Sequence, residues 1–100
     1  MIKTVIWTKQ AKNQRKAILK YWITRNKSNT YSAKLNVLFG IAATTLSRQP
    51  KLGRPTEIEN IRQRIIKNYK MFYKIEKSNI YIIALVDMRR APDTIRKMLE

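Results

Sequence analysis

NIRQRIIKNYKMFYKIEKSNIYIIALVDMRRAP, residues 60–92, breaks twice, and each break has turn chemistry. Ile61 to Lys67 reads as a β-strand, Asn68 suits a tight turn, and Tyr69 to Glu76 reads as its partner. Side chains alternate across a strand, so Tyr69, Met71, Tyr73 and Ile75 share one face while Lys70, Phe72 and Lys74 share the other. Lys77-Ser78-Asn79 makes the second turn. Ile80 to Asp87 is then almost continuously apolar, the pattern of a central strand covered on both faces. Three consecutive antiparallel strands follow, with Arg62, Arg64, Lys67, Lys70, Lys74, Arg89 and Arg90 close to Tyr69, Phe72, Tyr73 and Tyr81. Cations and rings on one sheet suit a polyanion or an acidic partner.

Upstream, Pro50, Gly53 and Pro55 in QPKLGRPTE end a helical region, because proline removes a backbone donor and glycine permits turns. Two helices are predicted before it. In Lys9 to Asn26, Ala11, Ile18 and Trp22, with Leu19 and Ile23 beside them, form one apolar stripe behind a capping Thr8. In Tyr31 to Ser47, Tyr31, Leu35, Leu38, Ala42 and Leu46, flanked by Phe39 and Ile41, form another, with Ser28 or Asn29 as its cap. Gly40 inside the second helix costs about 1 kcal/mol relative to Ala and points to close packing there. Lys3 to Thr8 is β-branched and aromatic, a short first strand. After Pro92, which suits a helix start, DTIRKMLE makes a short last helix with apolar side chains available to the sheet. A helical hairpin on one face of a small antiparallel sheet buries both stripes, giving an α+β domain spanning residues 1–100.

The chain has 22 Lys and Arg against 6 Asp and Glu, a net charge of +16, and no acid precedes Glu57. That field draws nucleic acid, the ribosome, anionic membranes or an acidic protein. Without cysteine or histidine the chain lacks disulfides, thiolate metal sites and the usual general base, so no metal or cofactor is expected. No apolar run approaches about 18 residues and the start has no signal-peptide pattern, so a cytoplasmic protein without membrane association is expected.

Several residues in this order resemble the RelE/ParE superfamily, the toxins of bacterial type II toxin-antitoxin pairs. They are Trp7 with Ala11, Pro50-x-x-Gly53-Arg54, Asn68-Tyr69-x-x-x-Tyr73 with Ile75, and Val86-Asp87-x-Arg89-Arg90-x-Pro92. The resemblance covers nearly the whole chain and implies a cognate acidic antitoxin, bound in a hetero-oligomer and attracted by the positive field. The family divides by target: RelE-like members resemble ribosome-dependent mRNA endoribonucleases, and ParE-like members poison DNA gyrase and hold it on cleaved DNA.

Cleaving RNA requires proton transfer at the 2′-hydroxyl and the leaving oxygen, and stabilisation of phosphate charge. In a RelE-like reading Arg62, Arg64, Lys70, Arg89 and Arg90 supply the cations, but the resemblance implies a Tyr or His-Tyr pair near the end of the last strand. No tyrosine follows Tyr81. Guanidinium groups hold phosphates but do not move protons, so a base would have to come from Lys67, Lys70, Lys74 or Tyr69. The Asp-x-Arg-Arg-x-Pro ending resembles ParE-like members, which need no catalytic constellation, and this is the reading preferred. A basic sheet module tracking single strands through Lys70, Phe72 and Lys74 is a further alternative. Packing roles are expected for Trp7, Trp22, Tyr69 and Tyr73, solvated faces for Lys12, Arg15, Lys16, Lys20 and Lys34, and a local ion pair for Asp87 with Arg89. Arg89 and Arg90 are the foremost candidates for contact with a phosphate or carboxylate.

Overall fold

The structure is a computed structural model and describes residues 2–100. Its elements are β1 (Thr4–Trp7), α1 (Lys9–Asn26), α2 (Thr30–Arg48), β2 (Arg54–Pro55), β3 (Ile61–Ile66), β4 (Tyr69–Glu76), β5 (Asn79–Asp87) and α3 (Pro92–Leu99). The strands form one sheet in the order β1-β5-β4-β3-β2. β3, β4 and β5 are antiparallel, as their turns require. The sheet is nevertheless mixed, because β1 lies parallel beside β5, with Thr4 opposite Asn79 and Trp7 opposite Ile82. The β3–β4–β5 meander brings the last strand back beside the first, after the helical hairpin has carried the chain from β1 to the far edge. There the loop after α2 contributes the two-residue β2, and Pro55 is tolerated because an edge strand needs fewer donors.

The alternation read along β4 is the partition of the core. Tyr69, Met71 and Tyr73, with Ile75, face α1 and α2 and pack with Leu35, Phe39, Ala42, Leu46, Ile80, Ile82 and Leu85. Phe72 faces the other way and packs with Ile61, Ala84, Val86 and Ile95 beneath α3. Both faces of β5 are therefore covered, which its unbroken apolar run requires. The run also contains a bulge. Tyr73 pairs with Ile82 but Phe72 with Ala84, so Ile83 is an extra residue and the facing reverses after it. The start of α1 satisfies the disturbed backbone: Thr8 N donates to Ile82 O, Gln10 Nε2 to Ile83 O, and Leu85 N to Gln14 Oε1 at 2.8 Å. Thr8 Oγ1 meanwhile caps α1 by accepting from Ala11 N.

Some packing expectations need correction. Phe39 is fully buried whereas Ile41 is exposed, because α2 meets the sheet along Leu35, Phe39, Ala42 and Leu46, and on α1 Ile23 is exposed as well. Gly40 does not mark close packing: an added Cβ would meet only the Arg15 guanidinium, at 3.6 Å. At α2 Asn29 makes no side-chain cap bond, and Thr30 N donates to Ser28 Oγ instead.

Candidate functional site

The seven cations singled out in the sequence do not form one site. Arg62 and Arg64 lie on the α2 side of β3, and both are held by backbone carbonyls. Arg62 donates to Gly53 O at 2.7 Å and Arg64 to Ala42 O at 2.9 Å. Lys70 and Lys74 stand on the opposite face, where Lys74 pairs with Glu76 at 3.2 Å and lies 5.8 Å from the Tyr81 ring. Phe72 between them is only 3% exposed, under α3, so the cation and ring mixture expected for tracking a single strand is not presented to solvent. Lys67 occupies the turn before β4 at a positive φ of 55°. Arg89 and Arg90 lie where β5 leaves the core, beside the turn that carries Lys67.

The motif tyrosines are structural. Tyr73 is fully buried, and its hydroxyl donates to Pro50 O at 2.7 Å while accepting from Gly53 N at 2.9 Å. Gly53 has no room for a side chain: a Cβ would come within 2.6 Å of Gln63 O and 2.7 Å of the Tyr73 ring. The Pro50-x-x-Gly53 spacing thus seats one loop on one hydroxyl. Tyr69 accepts from Trp22 Nε1 at 2.7 Å and packs edge-on against Phe39. Burial raises the pKa of both tyrosines, so Tyr69 is no base near neutrality.

Arg89 and Arg90 border a groove of about 690 Å³ between α1 and the end of β5. Its α1 wall carries Ile18, Tyr21, Trp22 and Arg25, and its floor and far wall Tyr69, Asp87 and Met88. Asp87 organises this end. Its carboxylate accepts from Arg89 N at 2.8 Å, Arg89 Nε at 3.0 Å and Arg89 Nη2 at 2.9 Å. Those bonds to the charged form lower its pKa to about 2. In turn, Arg89 is raised by the same carboxylate. Met88 N donates to Asn68 O, which ties this turn to the β3–β4 turn. Arg89 is therefore committed to its own turn, whereas the Arg90 side chain has no hydrogen-bond or ion-pair partner among the described residues.

Arg25 and Tyr21 were not singled out from the sequence. Their spacing of four on one helix was available as a signal: Arg25 Nη1 lies 3.5 Å from the Tyr21 hydroxyl, and Tyr21 is 53% exposed. Chemically the groove offers guanidinium donors, an exposed ring and a thioether beside one strongly acidic carboxylate. Such a set is chemically suited to an anionic group with an apolar or aromatic part. Among the described residues no group of three or more carboxylate-type ligands is placed to hold a metal, and no helix is long and apolar enough to cross a membrane.

Comparison with known proteins agrees with this fold. A family model for the ParE toxin of the type II toxin-antitoxin system, parDE, matches residues 5–92. Among solved structures, the chain is similar to one from the chromosomal ParDE TA system from P. aeruginosa, with a TM-score of 0.76 and 16% identity. The likeness covers 86% of this chain and 96% of that one, and at that identity it speaks for the fold. No curated protein matches the sequence.

Proposed function

Since the chain belongs to the ParE toxin family of type II toxin-antitoxin systems, we propose that it inhibits growth by binding DNA gyrase and holding it on cleaved DNA. A cognate acidic antitoxin neutralises it in a cytoplasmic hetero-oligomer. The observation carrying this reading is the chemistry at the end of β5. The groups there are Arg90, the Arg89 guanidinium, its pKa raised by Asp87, and the Asp87 carboxylate, its pKa lowered to about 2 by Arg89, and neither member of that pair is suited to proton transfer near neutrality. A binding surface needs no such group. Arg90, aided by Arg25 and the turn that Arg89 and Asp87 hold, is the anion-facing part of the surface; Arg62 and Arg64 serve the fold. The net charge of +16 supports an acidic partner.

The RelE-like alternative keeps one foothold in Tyr21, whose hydroxyl stands across the groove beside the Arg25 guanidinium. Two assays separate the readings. With gyrase, supercoiled plasmid and ATP, the purified protein is expected to accumulate cleaved DNA, while mRNA on translating ribosomes stays intact. New mRNA ends at codon positions, formed only with ribosomes and lost in Tyr21→Phe, would overturn the gyrase reading.

A further inference from the structure

The outer side of α1 carries Lys9, Lys12, Lys16 and Lys20, all exposed and opposite the core-facing Ala11, Ile18 and Trp22. At 3.6 residues per turn, spacings of three, four and four bring them into one file about 16 Å long, with neighbours about 4.5–6 Å apart along the axis. None has an ion-pair partner among the described residues. The ion pairs that do form join Lys74 to Glu76, Arg89 to Asp87 and Arg96 to Glu57, and none involves a residue of α1.

The file is unfavourable for the helix itself. Lysines four apart repel one another, and Lys9 and Lys12 lie at the N-terminal end, where the helix dipole is already positive and no acidic residue offsets it. The opposing charge has to come from outside the chain. The overall field of +16 serves the acidic antitoxin, but the file itself is a poor fit for an anchored protein interface, because such interfaces are depleted in lysine and built around apolar and aromatic anchors. Large apolar side chains become exposed on α1 only at Tyr21 and Ile23, beyond the file. Single-stranded nucleic acid is a poor fit too, since it needs rings for stacking, and the nearby Trp7 ring is covered by the Arg15 guanidinium at 4.6 Å. What remains is a regular row of point charges on a rigid rod, which suits the regular phosphates of a duplex.

We propose that this file on α1 is a sequence-independent contact surface for the phosphate backbone of duplex DNA. It is separate from the groove, which α1 lines with its other flank, and it does not rest on gyrase being the target.

The test measures binding of a labelled random-sequence duplex by fluorescence anisotropy across a salt series. Three proteins are compared: the wild type; a variant with Lys9→Ala, Lys12→Ala, Lys16→Ala and Lys20→Ala; and a charge-matched control with Lys34→Ala, Arg48→Ala, Lys51→Ala and Lys97→Ala. Each backbone contact contributes about 0.9 to the slope of log K against log salt, so the file variant is expected to lose about 3–4 from that slope and the control less than about 1. A matching set of Lys→Gln substitutions should reproduce the loss, and its melting temperature should not fall below that of the wild type. Equal slope losses in file variant and control would mean that the overall field binds DNA, and would overturn the site. So would an unchanged slope, tighter binding to single strands than to duplex, a lowered Tm in the Gln set, or loss of polyglutamate binding with duplex binding retained.

Discussion

The loop at Pro50–Gly53 and the turn at Asp87–Arg90 both sit at ends of the sheet, yet they are built in opposite ways. At the first, a fully buried hydroxyl bonds Pro50 O and Gly53 N, and a glycine fits where no Cβ can. At the second, the bonds are charge-assisted and open to solvent, and the side chain of one arginine of two has no partner among the described residues. The difference teaches where each kind of information lies. The motif that carries the family resemblance most visibly is spent on packing, while the groove that meets the outside is made of residues whose role depends on what they meet.

The largest test of this contrast is Gly53→Ala. The new methyl group would press on Gln63 O and the Tyr73 ring, and overpacking of a buried site costs about 1–3 kcal/mol. In a chain of this size that is a fall in Tm of roughly 4–8 °C for each kcal/mol, measured by thermal denaturation. Tyr73→Phe comes next. It preserves shape but leaves the Gly53 amide and Pro50 carbonyl unpaired, for a loss of about 1–3 kcal/mol in urea denaturation. An unchanged midpoint for either variant would break the contrast by showing that the loop is not locked.

The smallest effect belongs to the open turn. Asp87 has a lowered pKa in the folded state, so the stability it adds is present above the ordinary aspartate value and is lost as pH falls from about 4 towards about 2. Its exposure keeps that contribution small. Asp87→Asn should flatten this part of the Tm profile slightly, and an Asn variant with an unaltered acid limb would show that the pair adds nothing.

The same division explains what could be read in the sequence. The bounds of α1 and β4 were legible from local chemistry: a capping threonine, a short turn and strict alternation. The two faces of β4 followed from the same alternation and the covering of β5 on both faces from its unbroken apolar run, whereas the seat of α3 on the second face came only with the fold. The parallel return of β1, and the bulge at Ile83 with its partners Gln10 and Gln14, were not legible, since they depend on contacts between residues about 70 apart in sequence. That Arg62 and Arg64 each donate to a backbone carbonyl was not legible, because a guanidinium on a strand reads the same whether it meets a phosphate or a carbonyl oxygen. Arg25 and Tyr21 gained significance only when the fold set β5 opposite them.

The measurement that bears most directly on the account compares wild type with Arg89→Ala/Arg90→Ala, at equal folded concentration, in gyrase-dependent cleavage of supercoiled plasmid, with Tm recorded for both. The wild type should trap cleaved plasmid, and the double variant should lose at least about tenfold of that activity, or about 1.4 kcal/mol of binding. Its Tm should stay within a few degrees of the wild type, as surface substitutions usually allow. Full trapping by the variant would contradict the assignment of this end of β5 as the functional surface, and intact plasmid with the wild type would contradict the gyrase reading.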